Sequence, residues 1–429
     1  MNELPEGWTV EPFSQVASYT TGRTPARANP AYWAKGERQV PWVAISDMEP
    51  YGTITETAES VSELAFEEVF RERVVPAGTL IMSFKLTIGR VATLGIPACH
   101  NEAIISIYPR EGVDQRYLGY FLSQVDYTDH QDRQIKGNTL NQSKIDQIQV
   151  ALPPSKEQAR IADVLDKCRL GINTERAAEK TAEELKRACM RELFTRGLRG
   201  EPQKDTEIGL VPESWELATI GAHHAVVSGG TPSRGNPAFW SGGTIPWVKT
   251  TEVDYCVITE TGEHITPLGL ESSAAKMLPA GTLLMAMYGQ GVTRGKVAIL
   301  GIEAACNQAC AAITPNDDAV VPRYLYHFLA WRYDAIRSLA HGGQQQNLNL
   351  EIVRDLPVVY PQRKDEQDEI VAILDAIDRK IDLHRRKRAV LEELFKALLH
   401  KLMTGEIAVS DLDLSALSPA STQAEEATA

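Results

Sequence analysis

The segment from Gly289 to Lys296 comes closest to a familiar chemical motif in this sequence. It reads Gly-Gln-Gly-Val-Thr-Arg-Gly-Lys, with the glycines and the lysine of a phosphate-binding loop. Such a loop needs glycine where Gln290 stands and serine or threonine where Val297 stands, because its backbone amides and hydroxyl hold the phosphates and Mg²⁺. A dinucleotide-binding loop would likewise need glycine in place of Arg294. The segment therefore predicts neither kind of site.

Histidines and cysteines do not complete a catalytic or metal-binding pattern either. His223 and His224 are adjacent, with no partner carboxylate indicated, and Cys306 and Cys310 lack the second Cys/His pair that a structural zinc site needs. The sequence also has no nucleophile elbow and no Asn-Pro-Pro-aromatic tetrapeptide of the methyltransferase kind. We therefore expect a binding protein rather than an enzyme, with no catalytic residue, no metal and no cofactor bound by this chain.

An internal duplication is the most informative feature of the chain. Leu4-Pro5-Glu6-Gly7-Trp8 returns as Val211-Pro212-Glu213-Ser214-Trp215, and Gly22-Arg23-Thr24-Pro25 returns as Gly229-Gly230-Thr231-Pro232 at the same spacing. Later matches continue in the same order, which indicates two copies of one unit.

Each copy begins with short strand-like runs and ends in a long helical period. Runs such as 80–83 and 283–287 are apolar and bounded by Gly, Pro and Asn, which is typical of strands. After Leu152-Pro153-Pro154 the period becomes helical, with Ser155 and Gln158 spaced as a capping box. The sequence predicts an α+β fold, a tandem duplication of two mixed α/β domains, each followed by a long helix. The predicted boundaries are a first domain at 1–154, a first helix at 155–195, a linker at 196–210, a second domain at 211–362, a second helix at 363–404 and an acidic, disordered tail at 405–429.

The two long helices carry residues at alternating spacings of four and three, which predicts that they form an antiparallel coiled coil with each other. A register that pairs Glu175 with Arg388 and Glu179 with His384 neutralises the charges in the seam. An unpaired charge there would be strongly destabilising. The alternative is that each helix packs on its own domain. The predicted seam residues are Ile161, Leu165, Ile172, Glu175, Glu179, Ile377, Ile381, His384, Arg388 and Leu391. In this register Lys186 lies beside Ile377 and must extend its ammonium group to water.

The composition indicates a folded protein, with 43% apolar and 24% charged residues. No apolar run approaches the roughly 20 residues that span a bilayer, and the first residues lack a signal-peptide pattern, so we expect a cytoplasmic protein without a membrane partner. The formal net charge of −13 is unusual for a nucleic-acid binder, because phosphate neutralisation normally calls for a basic face.

These features together resemble the specificity subunits of Type I restriction-modification systems. The resemblance covers the chain from Trp8 to about Glu406 and rests on the duplication and on several motifs. These motifs are Gly229-Gly230-Thr231-Pro232, Ile245-Pro246-Trp247-Val248, Leu152-Pro153-Pro154 before Glu157-Gln158, and the helix endings Leu193-Phe194-Thr195 and Leu402-Met403-Thr404-Gly405-Glu406-Ile407. One departure is Pro361-Gln362, where the first copy has Pro153-Pro154. The resemblance implies two target-recognition domains, each reading one half of a bipartite site in double-stranded DNA, with the helices setting their separation.

The resemblance also implies partner proteins. These are two modification subunits, which bind S-adenosylmethionine and methylate adenine, and the restriction motor-nuclease subunits. Such partners could supply much of the phosphate neutralisation that an acidic chain lacks. Two alternatives remain open: a Type IIB-like specificity partner, which shares this architecture, and an interaction adaptor whose two domains bind protein or carbohydrate instead of DNA.

Residues that differ between the copies are candidates for reading different half-sites. One divergent segment is the loop after Lys85, which corresponds to Gly289 to Arg294, and the other is 133–138 against 341–346. Arg and Lys suit guanine, and Gln and Asn suit adenine, although each could instead be a solvated side chain or a phosphate contact. The candidate DNA-binding residues are Lys85, Thr87, Arg90, Arg133, Lys136, Asn138, Tyr288, Gln290, Thr293, Arg294, Lys296, Gln344, Gln345 and Gln346.

Residues kept in both copies are assigned other roles. Arg90 and Lys296 remain cations at equivalent positions, so we expect them to contact phosphate rather than bases. The paired tryptophans Trp33, Trp42, Trp240 and Trp247 are expected in the core rather than stacked on bases.

Overall fold

The computed structural model describes residues 4–33, 39–127, 132–134, 137–289, 292–339 and 347–412, with only the backbone described for 132–134 and 137–139. The chain divides into two compact units, and the division passes through both long helices. Unit 1 is Met1–Glu175 with Arg386–Ala429, and unit 2 is Arg176–Arg385. Each unit therefore contains one mixed α/β domain, called domain 1 or domain 2, and one half of each long helix.

Domain 1 contains short strands and short helices in alternation. Its described strands are β1 (Thr9–Pro12), β2 (Ala17–Thr21), β3 (Gln39–Val43), β4 (Gly52–Ile54), β5 (Glu59–Ser62), β6 (Leu80–Ser83), β7 (Val91–Leu94), β8 (Cys99–His100), β9 (Ile104–Pro109), β10 (Asp132–Gln134), β11 (Gly137–Thr139) and β12 (Gln149–Leu152). Its described helices are α1 (Phe13–Val16), α2 (Glu63–Glu68), α3 (Gln115–Gln124) and α4 (Gln142–Asp146), and the long helix α5 (Ser155–Arg196) follows.

Domain 2 repeats most of these elements after a short hairpin. The described strands are β13 (Gln203–Thr206), β14 (Gly209–Pro212), β15 (Trp215–Thr219), β16 (His224–Ser228), β17 (Ile245–Val248), β18 (Val257–Ile258), β19 (Glu263–Ile265), β20 (Leu283–Ala286), β21 (Val297–Leu300), β22 (Ala305–Cys306), β23 (Cys310–Pro315) and β24 (Pro357–Pro361). The described helices are α6 (Ile220–His223), α7 (Pro267–Glu271), α8 (Pro322–Trp331), α9 (Tyr333–Ser338), α10 (Leu350–Asp355) and the long helix α11 (Lys364–Met403).

The two domains share one sheet topology, which confirms the predicted duplication and fold class. Domain 1 has a five-stranded sheet in the order β2-β9-β6-β7-β4 and a three-stranded sheet in the order β5-β3-β8. Domain 2 has the same arrangement, β16-β23-β20-β21-β18 and β19-β17-β22. The pairs β4/β7 and β18/β21 are parallel within otherwise antiparallel five-stranded sheets, so both sheets are mixed.

The central strand of each five-stranded sheet is buried on both faces. In β6, Leu80 and Met82 belong to one hydrophobic cluster and Ile81 to another, as the alternation of side chains along a strand requires. In β20, Leu283 and Met285 are likewise separated from Leu284. This explains why both strands are continuous apolar runs in the sequence.

In unit 1 the start of α5 lies against the end of α11 and against domain 1. The Phe395 ring of α11 lies 5.4 Å from that of Tyr51 and 6.1 Å from that of Tyr120, both in domain 1. A Cβ atom built on Gly171 of α5 would lie 3.4 Å from a methyl carbon of Leu391 in α11. One buried cluster joins Ile161, Leu165, Cys168 and Ile172 of α5 to Phe395, Leu398, Leu399 and Leu402 of α11 and to Tyr117 and Tyr120.

In unit 2 the roles of the two helices are exchanged. Here the end of α5 enters the core of domain 2, where the Phe194 ring lies 5.5 Å from those of Tyr324 and Phe328. Ile370 and Leu374, near the start of α11, belong to the same core. The antiparallel pairing predicted from the sequence is therefore present. The two helices do not pack only on each other, however. Each domain also packs against the start of its own helix and the end of the other copy's helix.

All ten predicted seam residues are buried or half-buried. Two ion pairs of unit 2 differ in detail from the predicted register. Arg385 donates to Glu179 at 2.7 Å, one residue away from the predicted partner His384. Lys186 does not extend to water, because its ammonium group lies 2.5 Å from the carboxylate of Asp378. The pairings of Glu175 with Arg388 and of Glu179 with His384 stay predictions.

A buried glutamine fastens the start of each long helix to its domain. Gln158 is 3% exposed, and its carbonyl oxygen accepts from the amide of Asp114 at 2.9 Å. Its amide group donates to the carbonyls of Pro153 at 2.8 Å and Gly112 at 3.3 Å. In α11 the buried Gln367 bonds in the same way to Val321, Pro361 and Ala319.

Two connecting segments are more ordered than the sequence predicted. The linker 196–210 contains β13 and the start of β14, which form a hairpin. The predicted disordered tail starts too early at 405, because Ile407, Val409 and Leu412 pack on the helix cluster of unit 1. Residues 413–429 lie outside the described part. Among the described helices, none combines the length and apolarity that crossing a bilayer requires.

The glutamine contacts generate a prediction about stability. Replacing Gln158 with Ala leaves the Asp114 amide and the Pro153 carbonyl of unit 1 without the side chain that pairs them, and each unpaired buried group costs about 1–3 kcal/mol. The Gly112 carbonyl keeps a partner, because the Ser155 hydroxyl also donates to it at 2.8 Å. We expect the free energy of unfolding of unit 1 to fall by about 3 kcal/mol, measured by urea denaturation. The matched control is Gln149→Ala, because Gln149 is exposed and donates only to the nearby Gln147 carbonyl. Equal effects of the two substitutions would contradict the assigned role.

Candidate nucleic-acid interface

In each domain a described residue just after one divergent segment bonds to the residue at the start of the other. In domain 1 the amide of Leu140, which follows the segment 133–138, donates to the carbonyl of Phe84 at 3.0 Å, where the β6–β7 loop begins. In domain 2 the amide of Leu348 donates to the carbonyl of Met287 at 3.1 Å, at the start of the β20–β21 loop. The same backbone contact therefore joins, in both domains, the residue after one variable segment to the start of the other, at one end of the central strand.

The β6–β7 loop of domain 1 is short and tightly held. The amide of Gly89 donates to the carbonyl of Ser83 at 2.9 Å, and the Ser83 hydroxyl donates to the carbonyl of Thr87. Gly89 has φ +79°, and a Cβ atom there would lie 2.5 Å from the Tyr127 ring, so glycine is required. Leu86 and Thr87 are exposed at the tip, and the Lys85 ammonium lies 5.3 Å from the centre of the neighbouring Phe84 ring.

The β20–β21 loop of domain 2 is three residues longer. Its second half is supported by α9, because the Tyr333 hydroxyl donates to the carbonyl of Val292 at 2.5 Å and Arg337 donates to that hydroxyl at 3.0 Å. Tyr288 and Val292 are exposed, and Thr293 is half-buried. Arg294 is only 8% exposed, so the prediction that it reads bases is not supported.

Arg90 and Lys296, the predicted phosphate contacts, are engaged inside their domains. Arg90 donates to the carbonyls of Ile45 at 3.3 Å and Met48 at 3.2 Å. Lys296 lies 2.6 Å from the carboxylate of Asp254, and its side chain is 16% exposed. Both cations join the central sheet to a neighbouring turn, which gives a structural reason for their retention in both copies. Their expected role at phosphate is therefore not supported.

Several predicted contact residues cannot be placed. Lys136, Gln290, Gln344, Gln345 and Gln346 lie outside the described residues. For Arg133 and Asn138 the backbone is described, and they are paired across the hairpin of β10 and β11. These residues stay predictions.

The paired tryptophans form a repeated packing unit rather than an open stacking surface. Trp42 is buried, and the Trp33 ring packs edge-on against it at 5.0 Å. The guanidinium of Arg27 lies 3.9 Å from the centre of the Trp33 ring and donates twice to Glu59, at 2.6 and 2.8 Å. Domain 2 has the same unit in Arg234, Trp240, Trp247 and Glu263.

The glycines of the repeated Gly-X-Thr-Pro motif are fixed by close backbone packing. A Cβ atom on Gly22 would lie 2.1 Å from the carbonyl oxygen of His100, and one on Gly229 would lie 2.1 Å from that of Cys306. The amide of Arg23 donates to the same His100 carbonyl at 2.9 Å. The motif therefore joins the two sheets of each domain and belongs to the scaffold.

A charged network connects domain 2 to the long helices. A ring nitrogen of His327 and one carboxylate oxygen each of Asp375 and Asp378 lie within 4.8 Å of one another. Arg323 lies 2.8 Å from Asp375, and Lys186 lies 2.5 Å from Asp378, so a cation already faces each carboxylate. We assign the cluster to attachment of the domain rather than to metal binding. A cavity of about 940 Å³ adjoins it, lined partly by Lys186, Arg323 and Asp378.

Comparison with known proteins identifies the repeated unit. The model of the Type I restriction modification DNA specificity domain matches residues 5–184 and 212–393. The chain belongs to this family. Each match covers one domain and most of the long helix after it, so the chain carries two specificity domains in tandem.

Relatives of similar length support this assignment. The Type I restriction enzyme MjaIX specificity subunit of Methanocaldococcus jannaschii is 22% identical over 425 residues, which cover 96% of each chain. The EcoR124I/EcoR124II specificity subunit of Escherichia coli is 26% identical over 224 residues, 52% of each chain. The solved S subunit of a Type I restriction-modification system from M. genitalium has a TM-score of 0.61 at 12% identity, covering 94% of this chain and 97% of its own. That likeness shows the shared fold.

Sequence reasoning missed the residues that attach each specificity domain to the helices. The sequence pattern predicts only a capping-box role for Gln158 and no role for Asp166 or Asp375. In the structure Asp166 accepts from the Tyr120 hydroxyl at 2.6 Å, and Asp375 lies 2.8 Å from His327. A usable signal was present, because Glu-Gln and Leu-Asp recur on both helices at one spacing, next to an apolar face.

His100, beneath the Gly22 motif of the first specificity domain, makes that domain sensitive to acid. Its ring nitrogens lie 2.6 Å from the Ser106 hydroxyl and 3.2 Å from the Asn101 carbonyl. Burial lowers the pKa of His100 to about 4. In an unfolded chain the pKa returns to about 6.5, so between these values only the unfolded state takes up the proton. Stability is therefore unaffected above about pH 6.5 and falls as the pH drops toward 4.

We expect this effect in the difference between the wild type and His100→Gln. Between about pH 7.5 and pH 4 the wild type should lose about 3 kcal/mol more unfolding free energy than the variant, because glutamine does not titrate. Urea denaturation at both pH values measures the difference. His400→Gln is the control, since the His400 side chain is exposed, and it should behave as the wild type does. If wild type and His100→Gln show the same pH dependence, His100 is not the acid-sensitive group.

Proposed function

We propose that this chain is the non-catalytic DNA-recognition subunit of a Type I restriction-modification complex, with one specificity domain for each half of a bipartite site in double-stranded DNA. The observation that carries the proposal is the backbone contact by which Leu140 and Leu348, each just after one variable segment, bond to the start of the other variable loop at one end of the central strand. Shared residues, such as those of the Gly-X-Thr-Pro motif and the tryptophan pairs, build the same scaffold twice. The two surfaces that differ can therefore read different sequences without changing the fold.

Base reading requires side chains that reach the groove edges, and the variable segments differ in the groups they offer. The segment 341–346 of domain 2 supplies three glutamines, which suit adenine, whereas 133–138 of domain 1 supplies Arg133 and Lys136, which suit guanine. Domain 1 and domain 2 are thus proposed to prefer different half-sites.

The proposed partners are two modification subunits, which bind S-adenosylmethionine and methylate adenine, together with motor-nuclease subunits in a cytoplasmic complex. The net charge of −13 supports a division of labour, because an acidic chain needs other subunits to neutralise DNA phosphates. The engagement of Arg90 and Lys296 inside their domains points the same way.

The division between half-sites can be tested by mapping methyladenine across a genome. With the chain and its modification subunits present, we expect methylation at one bipartite sequence, and none at that sequence without the chain. Replacing Gln344, Gln345 and Gln346 with Ala should relax or weaken only the half read by domain 2, since the glutamines belong to that domain.

The reciprocal control is Thr87→Ala in the β6–β7 loop, which should affect only the half read by domain 1. Equal changes in both halves for either variant would refute independent reading. Methylation that follows no bipartite sequence would refute the proposed function.

A further prediction is that the isolated chain transfers no methyl group. The sequence supplies no methyltransferase motif, so transfer should depend on the modification subunits. Purified chain incubated with labelled S-adenosylmethionine and target DNA should leave the DNA unlabelled, and adding modification subunits should label it. Labelling by a preparation shown to be free of other subunits would overturn the assignment.

A further inference from the structure

Leu86, at the tip of the β6–β7 loop, combines two features that scaffold packing does not explain. Its side chain is 67% exposed, although it lies in a loop that is hydrogen-bonded to the end of the central strand. A single exposed leucine is ordinary on a protein surface. Its backbone is less ordinary, because φ is +64°, in the left-handed region. Five described non-glycine residues have such a backbone, and Leu86 is the aliphatic one among them.

The left-handed conformation is costly for leucine. It places Cβ close to the following carbonyl oxygen, which costs about 1–2 kcal/mol, whereas glycine adopts it freely and asparagine does so at lower cost. The loop already uses glycine for this purpose at Gly89, with φ +79°. A leucine kept in such a conformation and facing solvent gains nothing from burial in the described structure. Strained residues of this kind cluster at functional sites, where the side chain is needed.

The backbone of the loop is braced on both sides of Leu86. On one side Ser83 holds the loop through its hydroxyl and its carbonyl, and on the other the Tyr127 ring leaves no space beside Gly89. Leu86 is therefore presented by a short, braced turn, next to the exposed Thr87 and the cation of Lys85. Because this backbone is already ordered, contact with a partner would cost only the rotamer freedom of the Leu86 side chain.

We propose that Leu86 is a specificity-determining residue that contacts the C5-methyl group of a thymine in the half-site read by domain 1. This inference rests on the proposed function. A leucine offers no hydrogen bond, and in the major groove the thymine methyl is the apolar group that distinguishes one base pair from the others. In domain 2 the corresponding loop is longer and has Tyr288 and Gly289 where domain 1 has Lys85 and Leu86, so the contact belongs to the first half-site.

The proposal is tested by replacing each thymine of the mapped site with uracil, which removes only the methyl group. The complex of the full chain with its modification subunits is titrated with each duplex. For the wild type, at least one replacement in the first half-site should weaken binding about fourfold, the effect of exposing about one buried methyl-sized group. Leu86→Ala should bind the thymine duplex about fourfold less tightly and should not respond to that replacement.

Two further variants separate the contact from other effects. Leu86→Asn suits the left-handed backbone but lacks the apolar group, so it should be at least as stable as the wild type in urea and should also be insensitive to uracil. Leu170→Ala removes a leucine of similar exposure, 68%, from α5, and it should keep the wild-type response.

The outcomes distinguish the inference from the proposed function. If the complex does not prefer the mapped duplex at all, the proposed function fails. If it does, but Leu86→Ala responds to uracil as the wild type does, the inference fails. A wild type that is insensitive to every replacement also overturns it. In that case, two results together would indicate that Leu86 inserts between base pairs instead: weaker binding by Leu86→Ala, and unstacking of 2-aminopurine placed in the duplex.

Discussion

Each specificity domain is completed by a piece of helix from the other copy of the repeat. Phe395 of α11 packs against Tyr51 and Tyr120 of domain 1, and Phe194 of α5 packs among the aromatic residues of domain 2. Because large aromatic residues contribute much of the burial in such clusters, neither domain has its full core without the opposite helix. The duplication is therefore interlocked, although the two copies are separate in sequence.

The two attachments use the same positions with partly different side chains. In unit 1 Arg116 and Tyr120 meet Asp166, and Phe395 fills the adjoining space. In unit 2 His327 and Arg323 meet Asp375, and Lys186 pairs with Asp378 beside a cavity. A half-buried charge network gains less than an apolar contact of equal size, since desolvation offsets much of the attraction. Both domains therefore owe more of their attachment to the packing of Phe395 and Phe194 than to the charged groups beside them.

The sequence predicted the duplication, the fold class and the antiparallel helices, because repeats and helical periods are local patterns. It did not predict the state of individual cations. Three cations are of the residue types that contact DNA, namely Arg90, Arg294 and Lys296. In the structure, however, Arg294 is buried, Arg90 donates to the Met48 carbonyl and Lys296 pairs with Asp254, and these partners are distant in sequence. The sequence also gives no sign of the left-handed backbone of Leu86, which is visible only in three dimensions.

The exchange of helix ends also bears on how the chain is synthesised. A ribosome produces domain 1 first, and domains usually fold in that order. Here the residues that finish its core, such as Phe395 and Leu402, emerge more than 200 positions later. Until those residues are synthesised, the apolar surface of domain 1 that they cover stays exposed. Phe194, by contrast, has already been synthesised when domain 2 is made. A premature stop codon just after residue 385 would therefore damage the packing of the first domain while leaving unit 2 complete.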